Sequence, residues 1–425
     1  MRLCRILGIG LAGSGMLTFR RSLLITAALV SLRQVSHGQE SNSFAAVSKP
    51  WLADAYSMPA GSALVEDDNE LLRAFNVSLA STLLYDSNVN QANDRTKSAE
   101  GDWIWSVSPA LSWARKGRDF EAKADVKVNY DHYLQLDDYS SLDYQVGAGL
   151  IYHGGPLTLG GDIRQAHLEG VDLYGGGLTE QDSLLFAFSG DYKLSPKTSL
   201  LGEFTADYSQ FEEQTGPQAD RETSNEVLFL GALWKATPLL ELGPGLRGTT
   251  ASSDGEGDRD TFGPALKANY RLSGKVKLKS RIGLDFVEFE EGGSDEFVNA
   301  ALGLEYQFDP LWNFTLSASR DSEPESTSGG GFRESTALRF GVKRKISTAT
   351  LGLGIGYESS EFSGGTGAAT RPGIDYLDLN TTLVVPFYGD RGRGRLFFRY
   401  QDSSSDDLSR DWDGFQSGVS FSYQL

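Results

Sequence analysis

Residues 103–131 alternate. Trp103, Trp105, Val107, Leu111 and Trp113 fall on one face of an extended chain, with Ser106, Ser108, Ala110 and Ser112 on the other. After a charged turn over 115–119, Phe120, Ala122, Ala124, Val126, Val128 and Tyr130 stand against Glu121, Lys123, Asp125, Lys127, Asn129 and Asp131. A period of two excludes an amphipathic helix, whose apolar residues return every three or four positions. The runs are about 11 residues long, which exceeds the usual 5 to 6 of a soluble sheet and matches a strand that crosses a bilayer at a tilt.

The pattern recurs from 73–85 to 412–425 in about eighteen segments, with sixteen as the alternative count. The expected fold is therefore all-β: a transmembrane antiparallel up-and-down β-barrel over 73–425. An even strand number returns both ends of the chain to one side. A mean hydropathy of −0.30 and 40% hydrophobic residues argue against a helical membrane protein. They do not argue against a barrel, in which only every other residue need be apolar.

The connections alternate in length. Short ones are built on Lys116-Gly117, Gly154-Gly155-Pro156, Ser195-Pro196, Thr237-Pro238, Ser273-Gly274, Asp309-Pro310, Ser347-Thr348 and 389–394, and longer ones lie between them. Short inner turns and long outer loops are the asymmetry of outer-membrane barrels. Charge divides the same way. Asp137, Asp138, Glu212, Glu213, Asp254, Glu256, Asp258, Glu290, Glu291, Glu323, Glu325, Asp406 and Asp407 mark the long-loop side, while Arg115, Lys116, Arg118, Lys193, Lys197, Arg271, Lys275, Lys343, Arg344, Lys345, Arg391 and Arg393 mark the other. Such an acidic rim suits contact with outer-membrane lipid and lipopolysaccharide through divalent cations, which prefer hard carboxylate oxygens.

Residues 1–38 read as a secretory signal: Arg20 and Arg21, an apolar run over 23–32, then Ser36-His37-Gly38 with small residues at −3 and −1. Cleavage is expected after Gly38. Met16 is an alternative start, and a twin-arginine reading of the basic pair is the weaker one. Cys4 would leave with the leader, so no thiol chemistry is expected of the mature chain. The five basic residues before Gln39 would leave as well, making the formal charge of −18 more negative. Nucleic-acid binding needs a cationic surface and is disfavoured. Residues 39–72 lack periodicity and read as a periplasmic tail, with a short plug as the competing reading.

No catalytic, cofactor or metal site is expected. His132, His153 and His167 are far apart in sequence, no cysteine follows Cys4, and no two histidines have helical ligand spacing. The glycine triplets at 175–177 and 329–331 are not placed between a strand and a helix, so they read as loop rather than phosphate cradle. The informative polar cluster is 261–289. Phe262, Leu266, Ala268, Tyr270, Val276, Leu278, Ile282, Leu284 and Phe286 form one face, and Lys267, Asn269, Arg271, Lys275, Lys277, Lys279 and Arg281 the other. A cation on the lipid side costs about 2 to 4 kcal/mol at the midplane, so this ladder is expected to line the lumen. Arg339, Lys343, Arg399, Asp125 and Lys127 are expected to join it. Two readings of the ladder stand side by side: a track for anionic solutes or sugar acids, or simple balance for inward carboxylates such as Glu203, Asp285 and Glu305. Among aromatics, Phe397 and Trp234 are candidates for the inward register.

The last strand places Phe415, Ser417, Val419, Phe421, Tyr423 and Leu425 on one face. It resembles the C-terminal signal that the barrel-assembly machinery reads, except that it ends on Leu425 rather than an aromatic residue. The stretch Leu83-Leu84-Tyr85-Asp86-Ser87-Asn88-Val89 resembles the opening of the outer-membrane β-barrel porin family associated with bacterial exopolysaccharide loci, whose first strand runs into a Tyr-Asp-x-Asn-hydrophobic motif. The resemblance implies an outer-membrane channel or an accessory to polysaccharide export with export partners, and it assigns no functional residue. The expectation from the residues themselves is a porin-like, non-enzymatic channel for small hydrophilic solutes, with polysaccharide export as the alternative and an outer-membrane hydrolase as a weaker third.

Overall fold

The computed structural model describes residues 75–93, 98–171, 178–213, 221–253, 257–289, 294–324, 332–363, 373–389, 391–405 and 410–425. The expected leader and tail, the two glycine triplets, and the loop carboxylates Asp254, Glu256, Glu290, Glu291, Glu325, Asp406 and Asp407 lie outside these residues, as does the side chain of Glu213.

Eighteen strands follow one another: β1 (Phe75–Asp86), β2 (Asp102–Lys116), β3 (Phe120–Tyr133), β4 (Ser141–Gly154), β5 (Leu157–Val171), β6 (Leu178–Lys193), β7 (Thr198–Glu213), β8 (Arg221–Lys235) and β9 (Leu240–Ser253), then β10 (Gly257–Tyr270), β11 (Val276–Phe289), β12 (Ser294–Gln307), β13 (Trp312–Pro324), β14 (Phe332–Ile346), β15 (Ala349–Ser363), β16 (Ile374–Phe387), β17 (Gly392–Ser405) and β18 (Trp412–Gln424). Each pairs antiparallel with its sequence neighbours, and β18 pairs with β1, so the sheet closes on itself. Several strands are longer than the expected run of about 11 residues, with 15 residues in β5 and 16 in β6. Much of the excess is polar and lies toward the long loops, as with Glu169 in β5 and Glu323 in β13.

Register carries the alternation round the wall. Phe262 lies opposite Gly248 on one side and Phe286 on the other, and Lys267 opposite Gly243 and Arg281. One parity therefore points out all the way round. Leu230, Leu246, Phe262 and Ile282 are 55%, 51%, 58% and 54% exposed. Soluble surfaces rarely carry apolar patches beyond a few hundred Å², whereas a closed barrel with every interior backbone group paired is one of two structures that hydrocarbon accepts.

The turns explain why the hairpins form where they do. Ser195 Oγ accepts from the amides of Lys197 and Thr198, Thr237 Oγ1 from Leu239 and Leu240, and Asp309 Oδ1 from Leu311 and Trp312. Each side chain replaces a missing ladder partner. Gly155 (φ 58°) occupies the left-handed region in the turn between β4 and β5, where a side chain would be strained.

Outward aromatics gather at both ends. At the turn end Phe314 stacks on Trp312 and Tyr306, with ring centroids 5.9 and 6.0 Å apart, and Arg344 covers Trp312 at 4.7 Å. At the loop end Tyr85 packs against Trp103 and Phe415 at 5.4 and 5.9 Å. Two such girdles mark the two interfaces of a bilayer.

The Tyr-Asp-x-Asn stretch fastens the seam where the chain closes. Asp86 accepts from the Asn88 amide and from Gln416 Nε2 of β18. Asn88 Nδ2 donates to the carbonyls of Ala92 and Asp413, while its Oδ1 accepts from the Ala92 amide. Asn88 is buried, while its partners Ala92 and Asp413 are half-buried and exposed.

A candidate functional site in the charged lumen

The wall is not evenly round. β13 comes within 8 Å, Cα to Cα, of β8 and β9, with which it does not pair, so the sector between them folds inward. Gly263 of β10 permits the bend: a Cβ there would lie 1.7 Å from the Leu284 carbonyl oxygen. Inward residues of the sector are packed rather than wet, among them Phe229, Val287, Phe297, Thr249 and Asn299.

Charges fill the same sector. Arg247 of β9 pairs with Asp285 of β11 and, at 3.4 Å, with Asp321 of β13, while Arg281 reaches the other oxygen of Asp321 at 3.5 Å. Arg259 donates to Ser322 Oγ at 2.6 Å and lies 4.8 Å above the Phe332 ring. Beside them Arg333 joins Glu323 at 3.5 Å and Glu358 at 3.2 Å, and Arg339 meets the second oxygen of Glu358 at 3.5 Å. Three guanidiniums (Arg247, Arg259, Arg281) thus stand with two carboxylates (Asp285, Asp321), and Arg333 and Arg339 beside them face Glu323 and Glu358, so the charges of the sector are closely balanced.

Below this cluster the ring of Phe229 lies on two glycines. A Cβ on Gly245 or Gly231 would come within 2.6 or 2.8 Å of it. The Lys267 ammonium sits 4.1 Å over the ring and pairs with Glu203 of β7, joining strands that are not neighbours. Near the turn end Lys277 faces Glu305 at 3.2 Å with both side chains at least half exposed, and Lys279 is exposed beside them. On the opposite wall Arg399 pairs with Asp378, Arg395 covers Phe397 at 5.3 Å, and Asp162 takes Lys123 at 3.2 Å and Arg164 at 3.7 Å.

The sequence-predicted residues are distributed as follows. Lys267, Lys277, Lys279, Arg281, Arg339, Arg399, Asp125 and Lys127 all have inward parity, whereas Arg271 lies in the turn after β10, at the mouth. Asp125 rests over Gly147, where a Cβ would be 2.9 Å from its Oδ1. The ladder is split: Lys267 and Arg281 are engaged by carboxylates in the packed sector, while Lys277 and Lys279 are open to solvent.

Trp234 does not face inward. It shares parity with the exposed Leu230, is itself 50% exposed, and belongs to the outer girdle; the inward aromatic of β8 is Phe229. Glu323, expected in an outer loop, lies within β13 against Arg333. Arg247, Arg259, Asp321 and Arg333 were not anticipated. Parity alone would have found Arg247, a lone cation facing in from a glycine-rich strand. The three histidines are not brought together. His132 and His167 are on the outer face near the long loops, and His153 is inside at the turn end beside Glu121, at 3.8 Å.

No protein-family model matches the chain, and no curated protein matches it. Solved structures do. OccK9 (OpdG) of Pseudomonas aeruginosa aligns at 11% identity and TM-score 0.45, covering 84% of this chain and 100% of that one. The outer membrane protein OpdK of the same organism aligns at 11% and 0.42, covering 84% and 99%. The FrpB iron transporter of Neisseria meningitidis (F3-3 variant) aligns at 10% and 0.42, covering 80% of this chain; the chain spans 64% of that structure's length. The likeness is one of barrel architecture, and no residue role passes from these proteins to this chain.

Proposed function

We propose that this protein is a non-enzymatic, porin-like channel of a bacterial outer membrane that passes small hydrophilic solutes by diffusion and favours anions. The observation that carries the reading is the radial division of the wall, apolar outside and charged inside around a closed ring of eighteen strands. A barrel of this size holds more circumference than side chains can fill. The inward fold at β8–β13 narrows the lumen on one flank, and the exposed Lys277 and Lys279 nearer the turn end, set against the one carboxylate of Glu305, supply fixed positive charge along the remaining path. The acidic loop-end rim faces lipopolysaccharide, and β18 turns Phe415, Phe421 and Tyr423 outward, a face that barrel-assembly machinery would read.

Planar-bilayer recording tests this. The purified barrel should give steady single-channel conductance, with a reversal potential under a salt gradient of the sign that marks anion preference. A pore that stays closed in isolation would overturn the reading and favour a partner-gated export channel.

A further inference from the structure

The loop end of the β5–β6 hairpin carries a group of side chains on its outer face that the permeation path does not use. His167 and Glu169 stand two apart on β5, and register places Asp182 opposite His167 and Glu180 opposite Glu169. His167 Nε2 lies 3.2 Å from Glu169 Oε1 and 3.7 Å from Glu180 Oε1, and donor atoms from the three residues all lie within 4.8 Å of one another. We propose that His167, Glu169 and Glu180 form a binding site for a divalent first-row transition cation of the Zn²⁺ class.

Four observations lead there. The first is size. Zinc takes nitrogen and carboxylate oxygen at about 2.0 to 2.2 Å in a tetrahedron, which sets neighbouring donors roughly 3.3 to 3.5 Å apart; the separations of 3.2 and 3.7 Å from Nε2 bracket that edge. The second is the tautomer. His167 Nδ1 is 3.0 Å from Asp182 Oδ1 and Nε2 is 3.2 Å from Glu169 Oε1, so a cation that displaces the Nε2 proton meets an imidazole already held through Nδ1, with its freed lone pair toward the two glutamates. Histidine ligands of metals are oriented by just such a carboxylate on their other nitrogen. The third is rigidity: the Tyr144 ring stacks on the imidazole at 5.0 Å and 12°, and the His167 side chain is only 13% exposed. The fourth is charge. Two glutamates side by side need a positive charge next to them, which a protonated His167 supplies and which a bound cation would supply in its place.

The donor set also selects the cation. One imidazole and two carboxylates suit zinc and its neighbours, whereas calcium asks for six to eight oxygens and magnesium for an octahedron of oxygens. Three protein ligands leave a tetrahedral ion with one open position, at the outer rim of the barrel.

The experiment uses the full chain without an affinity tag, refolded in detergent micelles, stripped with chelator and titrated with Zn²⁺ by calorimetry. Bound metal is counted by atomic emission after desalting, and heat-dependent gel mobility confirms folding. One equivalent should bind saturably. His167→Gln and Glu180→Gln should each lose at least tenfold in affinity, Asp182→Asn about 10- to 100-fold, and His132→Gln nothing. If either ligand variant fails to fold, Glu169→Gln takes its place. Absence of saturable uptake by the folded wild type, or uptake that persists unchanged in folded His167→Gln, overturns the site.

Discussion

Arg247 on β9 and Asp285 on β11 meet across the intervening β10, with side chains only 5% and 2% exposed. A pair this dry gains little over apolar packing, but removing one partner strands the other charge at a cost of about 3 to 5 kcal/mol. Arg247→Ala should therefore lower the urea midpoint of the micelle-refolded barrel by a large step. Arg247→Leu combined with Asp285→Leu should recover most of it. Equal destabilisation by the single and double variants would mean that the pair does not set the packing of this sector.

The inward fold depends on Gly263, whose missing side chain accommodates the Leu284 carbonyl. Gly263→Ala must displace backbone rather than a flexible side chain, and it should prevent the folded, heat-modifiable band from forming. Gly274, with nothing within 4 Å of its Cβ position, is the control: Gly274→Ala should fold as wild type. If Gly263→Ala folds normally, the bend does not hinge there.

Lys277 and Lys279 are the exposed part of the cation ladder, free of the constraints that hold Lys267 and Arg281 in the packed sector. A charge facing a hydrated path interacts with a passing ion by about 1 kcal/mol at close range, roughly a fivefold effect on relative permeability. Joint replacement of both lysines by glutamate should reduce or reverse anion preference in the reversal-potential measurement, with folding unaffected. An unchanged reversal potential would show that these two lysines do not set the selectivity.

How much of this was legible beforehand follows from the range of the interactions involved. Alternation is local, so runs such as 275–289 located their strands and told outward Ile282 from inward Arg281 without a structure. Turn chemistry is local too, and Ser195, Thr237 and Asp309 marked their hairpins. Arg247 and Asp321 were missed because their importance arises from an approach of β13 to β9 that no single strand encodes. Trp234 was legible as well, since it shares the parity of Leu228 and Leu230, whose face meets lipid. His167 looked solitary because two of the carboxylates beside it come from β6 and arrive only through the hairpin register.

Asn88 is the residue whose loss should expose the closing seam. Its amide spans from the loop after β1 to the backbone of β18, donating at 2.9 Å to Ala92 and 2.7 Å to Asp413, and its oxygen accepts from Ala92. Asn88 is buried but Ala92 is half-buried and Asp413 exposed, so water can replace part of what Asn88→Ala removes, and the loss should be about 1 kcal/mol per hydrogen bond. Asn88→Asp keeps the acceptor but not the donor and should recover only part. The effect should be concentrated at β1 and β18: hydrogen exchange near Leu84 and Gln416 should accelerate well before exchange in β5 or β6. Uniform acceleration round the barrel would show that the motif contributes general stability rather than closure, and no acceleration would remove it from the seam altogether.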